Sequence, residues 1–310
     1  MSGRVRIILN PAAGQGRGAR RLGAVRAAFA VHGMDDLRLT ERPGDEARLV
    51  MEALDDDVGT LVVVGGDGTW GRCAVALGVA RGASRMAFLA AGTGNDFAKN
   101  LRVPANDPAG LARLIAEGRA IERLVDLGRV DDQWFLNVAG FGFDVAVLRA
   151  CQAPSWLRGP ARYIVTALRE LRSYEGIECR TGVAADAAAD AISAASSAWK
   201  RDLMLVFSNG EHFGGAFHIA PDARVDDGAL DMIVVDCEPG WGRVPLLAKA
   251  LRGRHLADPR VRHARAAHFT VAFREPPWFE ADGELHRAAG TECEVAVVPG
   301  ALRVVDAPAD

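Results

Sequence analysis

The stretch Val62-Val63-Val64-Gly65-Gly66-Asp67-Gly68-Thr69 decides the fold of the first part of the chain. Three valines form an apolar run typical of a buried strand, which passes directly into glycines, an acid and a helix-compatible segment. Glycines let the backbone approach a phosphate closely, and the first turn of a helix offers N–H groups and a positive dipole end. The stretch therefore predicts a strand, a phosphate-binding loop and a helix.

Asp67 narrows the kind of phosphate ligand. Its carboxylate would repel a bare phosphate unless a divalent cation stood between the two negative charges. Magnesium prefers carboxylate and phosphate oxygens as ligands. An acid inside a phosphate-binding loop thus indicates a complex of magnesium with a nucleotide.

Around this stretch, the first 126 residues alternate short apolar runs with longer amphipathic segments. Val5 to Leu9 precedes Arg17 to His32, Leu37 to Thr40 precedes Asp45 to Leu54, and Ile121 to Val125 closes the series. The alternation predicts parallel strands joined by helices in a doubly wound α/β sheet. Ligands of such sheets bind at the carboxyl ends of the strands, where the loops meet.

Two further loops share the glycine-rich character: Asn10-Pro11-Ala12-Ala13-Gly14-Gln15-Gly16-Arg17-Gly18 and Ala91-Gly92-Thr93-Gly94-Asn95-Asp96-Phe97-Ala98. Each follows a predicted strand, so we expect all three loops to open at one edge of the sheet. Any one of them is compatible with a plain strand-to-helix turn, and Asn95 with a helix N-cap. Three such loops in one sheet, two of them with Asp, favour a nucleotide site.

The sequence pattern changes after Asp126. Segments typical of strands are now separated by Gly, Asp and Pro clusters: Gln133 to Val138, Leu203 to Ser208, Leu230 to Val235 and Phe269 to Phe273. This pattern predicts a second, mainly antiparallel β domain. Thr181 to Ala198 has almost no large side chains, so a mobile surface loop is predicted there.

Two acidic motifs lie in this second part. Ala281-Asp282-Gly283-Glu284 offers a carboxylate to accept the proton of a hydroxyl in phosphoryl transfer, with Asp282 as first choice and Glu284 as second. Asp-Gly is also a common hairpin-turn signature, and spacing alone favours the turn. Arg224-Val225-Asp226-Asp227-Gly228-Ala229-Leu230-Asp231 clusters three carboxylates, which indicates either a bound hard cation or an acidic solvated turn.

Composition excludes several classes of protein. The 310 residues, 49% hydrophobic and 25% charged, suit an ordinary globular protein of two domains. A formal net charge of -3 gives no global field for a nucleic-acid partner. The five scattered cysteines fit neither a disulfide scaffold nor a zinc site. The seven histidines show no ligand spacing, and His212 and His218 are expected to lie apart, so no transition-metal site is expected.

The scattered cysteines favour a reducing cytosol, and no apolar run approaches the length of a membrane span. A cytoplasmic protein with peripheral contact at the inner face of the membrane is therefore expected. Basic and apolar residues are mixed in Ser155 to Arg158, in Arg162 to Val165 and in Arg243 to Arg265. Each stretch is compatible with contact to anionic headgroups or with a solvated helix face, and the helix of the first two could instead form a wall of the acceptor pocket. A homodimer is also compatible with the sequence.

The motifs NPAAG, VVVGGDGT, GTGNDFA, PDARVDDGALD and ADGE, in this order, resemble those of the bacterial diacylglycerol kinase and sphingosine-kinase-like lipid kinases. The resemblance implies an N-terminal α/β nucleotide-binding domain like that of NAD kinases and phosphofructokinases. It also implies a C-terminal antiparallel β-sandwich, with the active site in the cleft between the domains. The implied boundaries are 1–126, 127–292 and 293–310, the last a strand that returns to the first domain.

By the same resemblance, the chain is an ATP- and Mg²⁺-dependent kinase that phosphorylates a hydroxyl of diacylglycerol or a related lipid. Asp282 and Glu284 would face the nucleotide as the catalytic acids. A structural magnesium site would use the Asp227 side chain and the carbonyls of Arg224 and Ala229, and Asp67 and Asp96 would lie near the catalytic cation. The implied nucleotide contacts are Asn10, Pro11, Ala12, Ala13, Gly14, Thr40, Gly65, Gly66, Asp67, Gly68, Thr69, Trp70, Gly71, Arg72, Thr93 and Asn95.

One position departs from the family. Lipid kinases usually have a Glu three residues beyond the Thr of GGDGT, where this chain has Arg72. An Arg there could pair with a phosphate or lie in solvent. Two alternatives therefore stand beside the lipid kinase: a kinase of a soluble substrate, which would share GGDGT with NAD kinases, and a catalytically silent nucleotide-binding module.

Overall fold

A computed structural model describes residues 3–151, 159–183, 196–238 and 240–308. The chain divides into two compact units. The first consists of Met1–Leu127 together with Pro299–Asp310, and the second of Gly128–Val298. The last strand begins in the second unit and ends in the first.

The first unit alternates strands and helices. In chain order they are β1 (Val5–Leu9), α1 (Ala13–Ala30), β2 (Asp36–Leu39), α2 (Asp45–Asp55), β3 (Thr60–Gly65), α3 (Asp67–Val79), β4 (Arg85–Ala90), α4 (Pro108–Ala116) and the first part of β5 (Ile121–Val130).

The strands of this unit form a parallel sheet in which β1 lies between β2 and β3, and β4 follows β3. Val304 of the last strand pairs with β4, also in parallel. Strands β1 and β3 are buried throughout, because helices cover both faces, as parallel sheets require. The registers pair Leu9 with Val64 and Gly65 with Ala90, so the carboxyl ends of the strands lie level at one edge.

The second unit is mainly antiparallel. Its elements are β6 (Gln133–Phe135), β7 (Val138–Gly142), α5 (Phe143–Ala150), α6 (Gly159–Ser173), β8 (Ile177–Val183), β9 (Ser196–Ser208), β10 (His212–Phe213), β11 (Phe217–His218), β12 (Leu230–Asp236), α7 (Val244–Ala250), β13 (Val261–Ala266), β14 (His268–Phe273), β15 (Trp278–Ala281), β16 (Glu284–Arg287) and β17 (Glu292–Asp306).

The long strand β9 organises this unit. Its first part pairs with β8, and its second part lies between β7 and β12, all antiparallel. On the far side of β7 come β15 and then β16, and on the far side of β8 come β14 and β17. Buried aromatic rings fill the core, with Phe141 in contact with Phe207, Phe273 and Phe279.

Some local predictions differ from the structure. The predicted strand Gln133 to Val138 is interrupted after Phe135, because the amides of residues 136–138 donate to the carboxylate of Asp282. The predicted loop Thr181 to Ala198 begins and ends in strands β8 and β9, and its residues 184–195 lie outside the described residues. Ser155 to Arg158 also lies outside them.

Length and apolar character decide whether a helix can cross a bilayer. Among the residues that the structure describes, no helix is both long and apolar enough to do so.

Candidate active site

The three glycine-rich loops lie at the carboxyl edge of the parallel sheet, as the alternating pattern predicts. Asn10 directly follows β1, Gly66 follows β3, and Ala91 follows β4. Thr40 follows β2, and its amide donates to the carbonyl of Leu9 (3.0 Å). The structure thus brings the three glycine-rich loops and Thr40 to one edge, whereas Trp70 is fully buried and its indole N–H donates to the carbonyl of Val63 (3.2 Å).

Asp67 connects two of these loops. One carboxylate oxygen accepts the amide N–H of Asn95 (2.7 Å), and the other accepts that of Asp96 (2.6 Å). Burial raises the pKa of Asp67, and the negative charge of Asp96 raises it further, against the effect of the backbone N–H donors. A cation beside these two acids would lower their mutual repulsion, so the donor set fits a hard divalent ion.

Close backbone contact explains two of the glycines. A Cβ on Gly66 would lie 2.7 Å from the Cα of Gly92, and a Cβ on Gly14 would lie 2.1 Å from the carbonyl oxygen of Ala91. Gly14 also has a φ of 57°, where glycine avoids the strain of a side chain. The loops therefore touch through their backbones.

Side chains connect the loops as well. Asn10 donates to the hydroxyl of Thr69 (2.9 Å), and Arg17 donates to the hydroxyl of Thr93 (2.8 Å). Arg21 donates to the carbonyl of Ala90. Neither arginine was a predicted contact, although a cation inside a glycine-rich loop, as Arg17 is, is a signal for phosphate contact.

Arg72 has a defined partner. Its guanidinium pairs with the carboxylate of Glu46 on α2 (3.2 Å), a side chain that is only 1% exposed. The same carboxylate accepts the amide of Gly44 (3.2 Å). This ion pair connects α2 to α3, which gives the departure from the family motif a structural role.

Asp282 lies in the two-residue turn between β15 and β16. Asp282 and Gly283 both have positive φ, 49° and 84°, so the Asp-Gly pair forms the hairpin turn that its spacing favours. The Asp282 carboxylate accepts the amides of Leu136 (2.6 Å), Asn137 (2.8 Å) and Val138 (3.2 Å). Asp282 thereby holds the segment between β6 and β7, at the point where the predicted strand is interrupted. Glu284 begins β16 and is partly exposed.

A second pair of acids, missed in the sequence analysis, is buried in the same unit. Glu280 of β15 is paired in register with Gly140 of β7, and a Cβ on Gly140 would lie 1.7 Å from the Asp144 carboxylate. The Asp144 carboxyl therefore occupies the space beside Glu280 that the missing side chain of Gly140 leaves. Among the described residues, one oxygen of each acid has no hydrogen-bond partner.

Burial changes the protonation of this pair. It raises the pKa of Asp144 to about 7. Burial also raises the pKa of Glu280 well above its usual value, and the charge of Asp144 adds to the effect. Two adjacent buried carboxyls cannot both ionise without a large electrostatic cost. The pair therefore carries at least one proton at neutral pH.

Asp144 also borders an apolar pocket in the second unit. The pocket has a cavity volume of about 70 Å³, which is room for several water molecules. Apolar side chains of α5, α6, β9, the β10–β11 hairpin and α7 line it, among them Phe143, Leu171, Leu203, Phe213 and Leu246, together with Ile219 just after the hairpin. Asp144, Arg243 and His255 are its ionisable groups. Its chemistry suits a hydrocarbon chain that ends in a polar group.

The acidic segment Arg224 to Asp231 has cationic partners. Arg265 pairs with Asp227, and His263 lies 2.6 Å from the carboxylate of Asp231. The amide of Ala229 donates to Asp227 (3.2 Å). The predicted magnesium site with the carbonyls of Arg224 and Ala229 stays a prediction.

The basic stretch Arg243 to Arg265 is largely neutralised within the second unit. Lys249 and Arg260 both pair with Asp258, each at 2.7 Å, and Arg262 pairs with Asp202 at 2.7 Å. These ion pairs, with that of Arg265, reduce the positive charge available to an anionic surface.

Comparison with known proteins places this geometry in a family. Residues 4–130 match the diacylglycerol kinase catalytic domain, and residues 137–306 match the YegS C-terminal NAD kinase β-sandwich-like domain. The chain is 34% identical over 271 residues to "Probable lipid kinase YegS-like" of Pseudomonas aeruginosa PAO1, which covers 86% of this chain and 83% of that protein.

Two further comparisons agree. The chain is 28% identical over 313 residues to "Diacylglycerol kinase" of Mycobacterium tuberculosis H37Rv, covering 98% and 95% of the two chains. The crystal structure of a diacylglycerol kinase from Bacillus anthracis strain Sterne has the same fold, with a TM-score of 0.69 over 99% of this chain and 97% of that one, at 22% identity. The predicted two-domain fold is confirmed, and the chain belongs to the diacylglycerol kinase and YegS-like family of lipid kinases.

Proposed function

We propose that this protein transfers the γ-phosphoryl group of ATP, as its magnesium complex, to a hydroxyl of diacylglycerol or a related lipid. The observation that carries the proposal is the apolar pocket of the second unit, with a carboxyl group at its wall. Such a pocket suits an acyl chain better than a soluble nucleotide acceptor. A lipid acceptor also implies peripheral contact with a membrane, which is part of the proposal.

The first unit provides the contacts for the phosphoryl donor. The first turn of a helix presents N–H groups that have no carbonyl partner one turn earlier, and in α3 this turn lies at the glycine-rich loops, where such groups suit phosphate oxygens. Arg17, beside Thr93, adds a cation at the loops. Asp67 holds the loop of Asn95 and Asp96 in place, so the loops are arranged before the nucleotide binds.

Asp67 and Asp96 are the residues that would hold magnesium. When bound, magnesium neutralises the charge of the phosphates as the phosphoryl group is transferred. Neighbouring carboxylates satisfy the preference of magnesium for oxygen ligands, and Lys99, 2.5 Å from Asp96, partly balances their charge.

The second unit provides the acceptor site and the candidate bases. A protonated Asp144 can donate a hydrogen bond to a polar group of a lipid whose chain fills the pocket. Asp282 and Glu284 stay our candidates for the group that accepts the hydroxyl proton. Three backbone amides donate to the Asp282 carboxylate and fix its position.

A catalytically silent nucleotide-binding module is the second candidate, because Arg72 departs from the family motif. The ion pair of Arg72 with Glu46 favours the kinase, since the substituted position contributes to packing of α2 on α3. A soluble acceptor is the third candidate.

The decisive experiment measures magnesium-dependent transfer of labelled γ-phosphate from ATP. The acceptors are diacylglycerol, phosphatidylglycerol and a sphingoid base in mixed micelles, with glycerol as the soluble comparison. We expect labelled lipid with the wild type and at least a hundredfold less with Asp67→Asn, each protein first shown to be folded by circular dichroism. ATP binding without transfer to any acceptor would support the silent module, and label on glycerol alone would support the soluble acceptor.

A further inference from the structure

Two histidines and a glutamate lie together on the β10–β11 hairpin, and none has a role in the proposed reaction. The carboxylate of Glu211 lies 3.1 Å from Nε2 of His218 and 3.9 Å from Nδ1 of His212. One ligand atom from each residue lies within 4.8 Å of the other two. The expectation that His212 and His218 lie apart is therefore wrong.

Hairpin register explains the cluster. His212 and His218 are directly opposite each other across β10 and β11, so their side chains share one face. The connection of three residues contains Gly214 and Gly215, both with positive φ. The two imidazole rings stack, with centroids 4.5 Å apart and planes inclined by 12°. A hairpin thus makes neighbours of two histidines six positions apart.

The distances are close to those of a zinc site. Zinc binds imidazole nitrogen and carboxylate oxygen at about 2.0–2.2 Å, so tetrahedral ligand atoms lie about 3.3 Å apart. The observed separations of 3.1 Å and 3.9 Å lie on either side of this spacing. The three side chains are 38%, 25% and 31% exposed, whereas the Nδ1 atom of His212 is itself buried.

We infer that Glu211, His212 and His218 form a binding site for a transition-metal ion of the Zn²⁺ class, with a fourth position open to water. Imidazole ligands favour Zn²⁺ over Mg²⁺, which prefers oxygen. The site is thus distinct in chemistry from the proposed nucleotide-magnesium site. It does not depend on the proposed kinase activity.

The ion would act on the wall of the apolar pocket. Phe213 and Phe217, on the same two strands, line that pocket. The carbonyl of His212 accepts a hydrogen bond from the side-chain amide of Asn137 (2.8 Å), and the backbone N–H of Asn137 donates to the Asp282 carboxylate. An ion that connects the hairpin strands would therefore order the pocket wall and the segment beside Asp282.

The test uses Co²⁺ as a visible probe and Zn²⁺ as its competitor, on the full chain after treatment with a chelator. We expect the wild type to give the strong visible absorption of low-symmetry Co²⁺, which Zn²⁺ abolishes and an excess of Mg²⁺ leaves unchanged. His218→Gln and His212→Gln should each weaken Co²⁺ binding by more than about tenfold. His268→Gln is the matched control, because His268 is similarly exposed and lies beside Glu294.

Three outcomes would overturn the site: no Co²⁺ absorption with the wild type, wild-type affinity in both variants, or an equal loss with His268→Gln. Hydrogen exchange of the wild type gives an answer that needs no variant. Zn²⁺ should slow amide exchange in residues 211–218, and an unchanged exchange rate there at saturating Zn²⁺ would contradict the inference. If a histidine variant fails to fold, Glu211→Gln replaces it.

Discussion

At the scale of single residues, carboxylates hold loops in position. Asp67 accepts two backbone amides of the third glycine loop, and Asp282 accepts three amides of residues 136–138. A buried polar group destabilises the fold unless it is hydrogen-bonded, and here each acid and its amides satisfy one another. Asp67 and Asp282, which the sequence predicts to act in metal binding and catalysis, thus also determine local structure.

Gly66 tests the close contact between the loops. Gly66→Ala places a Cβ 2.7 Å from the Cα of Gly92, so the two loops must separate. We expect the free energy of unfolding to fall by about 1–3 kcal/mol. Gly68→Ala is the matched control, because its Cβ meets no atom within 4 Å and alanine favours the helix. Urea unfolding of both variants measures the difference, and equal stability would contradict the contact.

Asp282 tests the role of the amide contacts. Asp282→Asn replaces one acceptor oxygen with an NH₂ group that faces backbone N–H donors, so we expect a loss of about 1–3 kcal/mol in the free energy of unfolding. Glu284→Gln, at the start of β16, is the comparison and should change stability little. If Asp282→Asn has the same urea midpoint of unfolding as the wild type, the Asp282 carboxylate is not needed to hold residues 136–138. Activity assays of this variant therefore need a measurement of its stability.

At the scale of elements, two adjacent residues of helix α6 have different surroundings. Ala167 is buried and lines the apolar pocket, whereas Leu168 is 37% exposed. The helical period of 3.6 residues turns neighbouring side chains to different surroundings. The long strand β9 has a comparable effect, because two of its parts pair with different strands.

Ala167→Phe should fill the pocket. We expect the KM for a long-chain diacylglycerol to rise by roughly tenfold or more, since the added ring takes the space of part of an acyl chain. The KM for ATP should stay unchanged. Leu168→Phe is the control on the same helix and should leave both values at their wild-type level. Equal lipid kinetics for the two variants would contradict an acyl-chain site in this pocket.

At the scale of the whole molecule, the buried acids make stability depend on pH. Asp144, with a folded pKa of about 7 against an ordinary value near 4, binds its proton more tightly in the folded state. Its contribution is therefore fully present below about pH 4 and is lost as the pH rises through 7. Asp45, whose amide contacts lower its pKa to about 2, acts in the opposite direction, and its contribution is lost as the pH falls below about 4.

A comparison of variants isolates the buried pair. In Asp144→Asn the acid is absent, so the wild type should lose stability relative to this variant as the pH rises from 4 to 8. The slope is at most about 1.4 kcal/mol per pH unit for each proton. Glu280→Gln should behave in the same direction, because the charge of Asp144 also raises the pKa of Glu280. Thermal unfolding across this range measures the difference, and parallel pH curves would contradict a shared buried proton.

The sequence by itself determined the fold class and the convergence of the glycine loops. Both follow from local pattern: alternating strands and helices require a parallel sheet, and loops after parallel strands open at the same edge. The order of the motifs was also enough for the family resemblance that the comparisons confirm. Element limits were less accurate, as at Gln133 to Val138, where a distant carboxylate competes for the strand amides.

Tertiary structure alone decided the partners of particular side chains. Arg72 pairs with Glu46 across two helices, Glu280 lies beside Asp144 through the register of β7 and β15, and His212 stacks on His218 through a hairpin. Local sequence encodes propensity and periodicity, whereas these contacts depend on register and on the burial of distant segments. Burial, which raises the pKa of both acids, and the charge of Asp144, which adds to the effect on Glu280, arise only when the chain has folded.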